Sequence, residues 1–200
     1  SDAARAETLE RIALYRYLVD LPPVTEDLAQ RDDDQACAVM MDQNDALDHD
    51  PPMSWDCYAA GGRDGAATSN LAIGTSSPAG AIDLFMRDEG VDSLGHRRWI
   101  INFDLGAVGI GFAGNATCLG VFDDSGSTAR TWVAYPAPGP APIETANGVW
   151  SFHSATSLEG ADVTVHSLSD ERALGVDVDE LGGGYGAEAA ASSALSSRRS

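Results

Sequence analysis

The chain has 200 residues and a formal net charge of −19, and all 12 of its basic residues are arginine. So acidic a chain repels phosphate backbones, which argues against nucleic acid as a partner, and no apolar run reaches the ~20 residues of a membrane-spanning helix. Hydrophobic residues are 44% and charged residues 22%, near the globular average, so one domain with a small appendage is expected.

Residues 5–19 read as an amphipathic helix with Leu9, Ile12, Ala13 and Tyr17 as its apolar stripe, stopped by Pro22-Pro23. A second helix is predicted to start near Thr25, with Ala36, Val39, Met40 and Leu47 inward and Arg31-Asp32-Asp33-Asp34 as its solvated face. Residues 48–77 read as mostly irregular, punctuated by Pro51-Pro52 and Gly61-Gly62, and a loop of that length is often functional. A third helix runs from Pro78 to about Glu89, with Ser77 as N-cap, Gly90 as C-cap and Ile82, Phe85 and Met86 buried.

After Trp99 the period changes to two. Strands are predicted at 108–113, 117–122 and 131–135, and then, past a proline-rich linker at 136–143, at 149–153, 163–167 and 174–178. Residues 1–135 are thus expected to form the main domain, 144–186 a small β-rich tail, and 187–200 a disordered end. His153 and His166 read as surface residues of tail strands, and Trp55, Trp99, Trp132 and Trp150 as core or hinge packing.

Ser1-Asp2-Ala3-Ala4 reads as a mature end left by signal cleavage. Cys37, Cys57 and Cys118 in an exported protein suggest one disulfide and one free thiol. Cys57–Cys118 is the favoured pair, because Cys37 lies on an apolar helix face where a thiol acts as a small hydrophobe.

Two segments concentrate chemistry: Leu47-Asp48-His49-Asp50-Pro51-Pro52 and Gly95-His96-Arg97-Arg98-Trp99-Ile100. Between them lie Ser69-Asn70-Leu71 and Phe85-Met86-Arg87-Asp88. In this order they resemble the CAP superfamily of cysteine-rich secretory and pathogenesis-related proteins, in its bacterial extracellular form, over residues 8–135. The resemblance implies an α+β fold, an α-β-α sandwich around a central antiparallel sheet, here with a short C-terminal β-rich tail. It also implies a cleft with two histidines, matched by His49 and His96, and two acids. One acid matches Asp88; the other, normally Glu before Asn, is replaced by Ser69 before Asn70.

Two neutral imidazoles can share zinc or another divalent cation, and a carboxylate such as Asp88 can fix a ring tautomer. The competing arrangement is hydrogen bonding of the histidines to each other and to the carboxylate, closing a polar pocket. Arg97 is a candidate for an anionic ligand through its fork, against a plain salt bridge. No Gly-x-Ser-x-Gly elbow is present for a serine nucleophile at Ser69. Three functions follow as expectations. The first is a secreted or cell-envelope, non-enzymatic binding module taking a small apolar ligand or an extracellular partner. The second is a metal-dependent hydrolase using His49, His96 and Asp88. The third is a structural envelope protein with a vestigial cleft. The missing acid at Ser69 favours the first and third.

Overall fold

The structure is a computed structural model that describes residues 1–141, 148–186 and 188–192. Helix α1, Asp2–Leu18, is capped by Ser1, whose hydroxyl accepts from the Ala4 amide. Its buried line is Thr8, Ile12 and Arg16, one turn apart, rather than the expected stripe ending at Tyr17, which is exposed. The reason is Arg16. Its guanidinium donates to the carbonyls of Pro22, Ile100, Asn102 and Leu105 at 2.7–3.0 Å, tying the helix to the chain beyond residue 100. Burial draws the Arg16 pKa down to about 10, still high enough to keep it charged at neutral pH.

Thr25–Glu26 form a short strand, β1, and do not start a helix. The amides of Thr25 and Asp27 donate to Gly106 and Val108 carbonyls, so they are used in a sheet edge before a helical turn can form. Helix α2 starts later, Arg31–Asn44, and buries Asp34, Cys37, Ala38, Met40 and Met41. Asp34 is therefore no part of a solvated face; it is fully buried.

The span expected to be irregular contains helix α3, Ala60–Ala67, and strand β2, Ser69–Ile73. Gly62, expected as part of a turn marker, is with Gly65 a contact residue of α3. A Cβ on Gly62 would stand 2.9 Å from the Ala36 carbonyl carbon, and one on Gly65 2.7 Å from the Asp33 oxygen, so only glycine lets α3 lie this close to α2. Helix α4, Pro78–Arg87, has the Ser77 cap and the buried Ile82, Phe85 and Met86, but it ends two residues early, on Asp88 in the left-handed region at φ 52°. Helix α5, Gly95–Ile100, follows at once from Leu94.

Strands β3, Ala107–Ala113, and β4, Ala116–Gly120, make an antiparallel hairpin, and β2 pairs antiparallel with β4. The sheet order is β1-β3-β4-β2, antiparallel except for β1, which joins the edge in parallel through Thr25 and Glu26. Alternation along the strands builds two layers. Val108, Ile110 and Leu119 join Ile12, Ile82 and Phe85 under α1 and α4. Ala116 and Cys118 join Cys37, Ala38, Met41 and Ala66 under α2 and α3. The result is an α-β-α sandwich.

On the α2 side the sheet is lined by small residues, and a Cβ on Gly111 would fall on the Asp34 carbonyl. Close approach there sets the cysteine pairing: Cys37 of α2 bonds Cys118 of β4, with Cα atoms 6.2 Å apart. This corrects the expected Cys57–Cys118 bridge. The apolar helix face that favoured a free Cys37 is the face that meets β4, while Cys57 is exposed and free.

Strand β5, Trp132–Tyr135, does not extend the central sheet. It pairs with β6, Trp150–Ser154, in a second antiparallel sheet of order β5-β6-β10-β9, with β9 Val178–Leu181 and β10 Glu188–Ser192. Strand β10 occupies part of the end expected to be disordered; 187 and 193–200 lie outside the described residues, as do 142–147 of the linker and the start of the tail. A two-residue hairpin, β7 Val165–His166 with β8 Ala173–Leu174, stands where longer strands were predicted. Val133 and Tyr135 reach into the main core, so the second sheet is docked on the sandwich. Among the described residues no helix is long and apolar enough to cross a membrane.

Candidate functional site

His96 is set by what precedes it. The left-handed turn at Asp88 ends α4 and turns its carboxylate back onto α5. Asp88 Oδ1 stands 2.7 Å from His96 Nδ1, and Oδ2 accepts the Arg97 amide at 3.1 Å. Phe85, one turn earlier on α4, stacks on the His96 ring with centroids 5.1 Å apart. Asn70 on β2 donates from Nδ2 to the His96 carbonyl at 3.0 Å, fixing the backbone from the sheet side. A buried carboxylate disfavoured by the helix dipole at a C-terminus is thereby matched by a ring N–H and a backbone N–H.

His49 lies in the loop after α2, exposed, with Nδ1 2.8 Å from the Ala66 carbonyl at the end of α3. A carbonyl only accepts, so His49 Nδ1 carries the proton and a neutral ring keeps its lone pair on Nε2. The same logic at Asp88 leaves Nε2 of a neutral His96 bare. His49, Ser69, Asn70 and His96 line one cavity of about 360 Å³, walled on its apolar side by Trp99, Phe122 and Tyr185. Trp99 and Phe122 pack together with centroids 4.7 Å apart.

Asp88 stands behind His96 and lines a neighbouring cleft instead. Arg97 is away from the cavity as well, so the expected anion fork is spent elsewhere. It is fully buried and donates to the carbonyls of Met86, Arg87 and Val149 at 2.7–3.0 Å, with Tyr135 beneath its guanidinium at 4.9 Å. It ties the end of α4 to the second sheet. His153, expected at the surface, is buried on β6 with Nε2 3.0 Å from Ser151 Oγ, while His166 is exposed. Burial, reinforced by the positive charges of Arg98 and Arg97, pulls the His153 pKa down to about 3. Of the tryptophans, Trp99 packs on the main core and Trp132 is exposed, stacked on Phe152.

Ser69 faces two ways. It forms part of the cavity wall, but its hydroxyl donates to Asp34 Oδ1 at 2.9 Å. The carboxylate absent from the wall at Ser69 thus has a counterpart one layer deeper, on α2. Burial, aided by repulsion from Asp33 and Asp27, pushes the Asp34 pKa up to about 7. Its Oδ2 has no hydrogen-bond partner among the described residues. Sequence reasoning missed Asp34, Phe122 and Tyr185. The run Gly182-Gly183-Gly184-Tyr185-Gly186, one aromatic among glycines, was the readable signal for Tyr185.

Among the described residues no group of three or more His, Cys, Asp or Glu side chains is arranged to hold a metal ion. His49 and His96 offer two imidazole nitrogens, one short of the three protein ligands of catalytic zinc sites.

Fold and site together define an α-β-α sandwich carrying a histidine-lined cavity at the junction of β2 and α5. The family model for the cysteine-rich secretory protein (CAP) family matches residues 9–122, and the chain belongs to that family. No curated protein and no solved structure matches the chain.

Proposed function

We propose that this CAP-domain protein is a secreted, non-enzymatic binding module whose ligand, a small molecule with an apolar body, sits in the cavity between His49 and His96. The observation that carries the reading is the lining. Aromatic walls from Trp99, Phe122 and Tyr185 meet a polar end made of His49, Ser69, Asn70 and His96, a division typical of small-molecule sites. The wall position at Ser69 bears a hydroxyl turned to Asp34 rather than a carboxylate, which leaves Asp88 as the one acid matched of the two the family resemblance implies. The Cys37–Cys118 disulfide supports an oxidising, extracellular setting.

The test is a titration with cis-parinaric acid, followed by the probe's own directly excited fluorescence, on the wild type and on Ser93→Trp, which places an indole at a lining position of the cavity. The reading expects saturable binding by the wild type, reduced on the order of tenfold or more in the filled variant.

A divalent cation is a second occupant to consider, because each histidine has its Nδ1 engaged and leaves Nε2 as the donor atom. With two such ligands, affinity for zinc would be modest and the cation would serve to anchor a polar ligand head.

A further inference from the structure

Between β9 and β10 the chain runs Gly182-Gly183-Gly184-Tyr185-Gly186. Gly184 and Gly186 have φ of 98° and 82°, and nothing stands within 4 Å of where a Cβ would sit on Gly182, Gly183 or Gly184. This stretch is conformationally free on its approach, as a hinge must be.

Tyr185, by contrast, is docked. Its ring lies on the backbone of Gly95, where an added Cβ would meet Cε1 at 2.7 Å and Cδ1 at 2.9 Å. The Arg98 guanidinium lies 5.1 Å from the ring centroid, and Trp99 meets the ring edge-on at 6.5 Å. Gly186 then lies against the Asn102 side chain, where a Cβ would come within 2.8 Å of Cγ. Arg98 itself is buried, with its guanidinium donating to the Ser93 carbonyl at 3.3 Å, and the tyrosine ring packs against it.

A flat backbone floor, a guanidinium beneath and an indole at the edge are the parts of a ring-binding subsite. Tyr185 fills it from the same chain and lines the cavity shared by His49 and His96. We propose that Tyr185 is an intramolecular occupant of an aromatic-ring subsite at the mouth of the two-histidine cavity, on a glycine-hinged strap that an external ligand bearing a phenol-like ring displaces. The proposal rests on the reading of the cavity as a binding site and names the chemistry of one end of its ligand. No covalent step is involved. An external ring binds with its intrinsic affinity multiplied by the fraction of time the strap is open.

The experiment measures binding of N-acetyl-L-tyrosinamide to the full chain by calorimetry. Tyr185→Ala is expected to bind on the order of tenfold more tightly than wild type, because the competing ring is gone. Tyr185→Phe, which keeps the ring, is expected to match wild type. Adding Gly95→Ala to Tyr185→Ala places a methyl group where the ring edge lay, and is expected to abolish the gain. Equal affinity of Tyr185→Ala and wild type, absence of binding by both, or a gain that survives Gly95→Ala would overturn the proposal. Titration of the same proteins with cis-parinaric acid separates the two ideas. If parinarate binds and the tyrosinamide gain is missing, the strap fails alone; if parinarate binds neither wild type nor Tyr185→Ala, the cavity reading fails with it.

Discussion

Asp88 holds His96 through a 2.7 Å contact with Nδ1 while accepting the Arg97 amide on its other oxygen. One carboxylate thus sets both the ring and the first turn of α5. Asp88→Ala leaves a buried N–H without a partner and is expected to destabilise the fold by roughly 1–3 kcal/mol. Asp88→Asn keeps one acceptor oxygen, enough for one of the two N–H groups, and is expected to lose less. Urea unfolding of the two variants checks the order; an Asp88→Ala midpoint equal to wild type would contradict the assigned role.

Two buried groups give the protein opposing pH dependences. Native Asp34 titrates at about 7 against 3.8 for the free side chain, mainly through burial. Between those values the native state keeps a proton that the unfolded chain has released, so this contribution to stability falls as pH rises. Native His153 titrates at about 3 against 6.5, again mainly through burial. Below 6.5 the unfolded chain takes a proton that the native state refuses, so this contribution falls as pH drops. The slopes, up to ~1.4 kcal/mol per pH unit each, oppose one another over the shared interval. Asp34→Asn is expected to unmask loss of stability towards acid, and His153→Gln loss of stability towards neutral pH. Urea midpoints at pH 4, 5 and 6 measure both; parallel profiles for all three proteins would contradict the account.

The Cys37–Cys118 bridge spans 81 positions of sequence. A loop of that length implies about 4.5 kcal/mol of stabilisation through the unfolded state. Reduction is expected to lower the free energy of unfolding, measured by urea titration, by that order. Cys57, exposed, is expected to be the one thiol alkylated in the folded, unreduced protein. Peptide mapping that found a label on Cys37 or Cys118 instead would contradict the pairing.

If a divalent cation uses the two histidines, His49→Ala and His96→Ala are each expected to lower zinc uptake, and the double variant to abolish it. Uptake should weaken in acid, because only neutral imidazoles bind. A competition titration with a zinc indicator measures this, and equal uptake by wild type and the double variant would remove the cation from the account.

Much of this arrangement was legible in the sequence. The periodic, well-capped segments gave α1, α4 and the β3–β4 hairpin, and the ordered motifs led to His49, His96, Asp88 and the family. What was hidden had local causes. Helix α3 was obscured by Gly61 and Gly62, which read as breakers although Gly62, with Gly65, serves close packing on α2. Asp34 read as solvated because Asp32 and Asp33 are; only the three-dimensional position of Gly109, Gly111 and Gly120 makes room for it. The cysteine pairing depended on which helix face meets β4, and β5 joined the second sheet because its partner, β6, lies across the linker. Tyr185 reaches the cavity only because the second sheet docks on the sandwich.

The central claim is that the cavity between His49 and His96 receives a small ligand with an apolar body. The most direct measurement is the cis-parinaric acid titration of wild type, Tyr185→Ala and Ser93→Trp under one set of conditions. The account predicts saturable binding by the first two, with binding weakened on the order of tenfold or more in Ser93→Trp. Binding that is indifferent to the filled cavity, or no binding by either of the first two proteins, would contradict it.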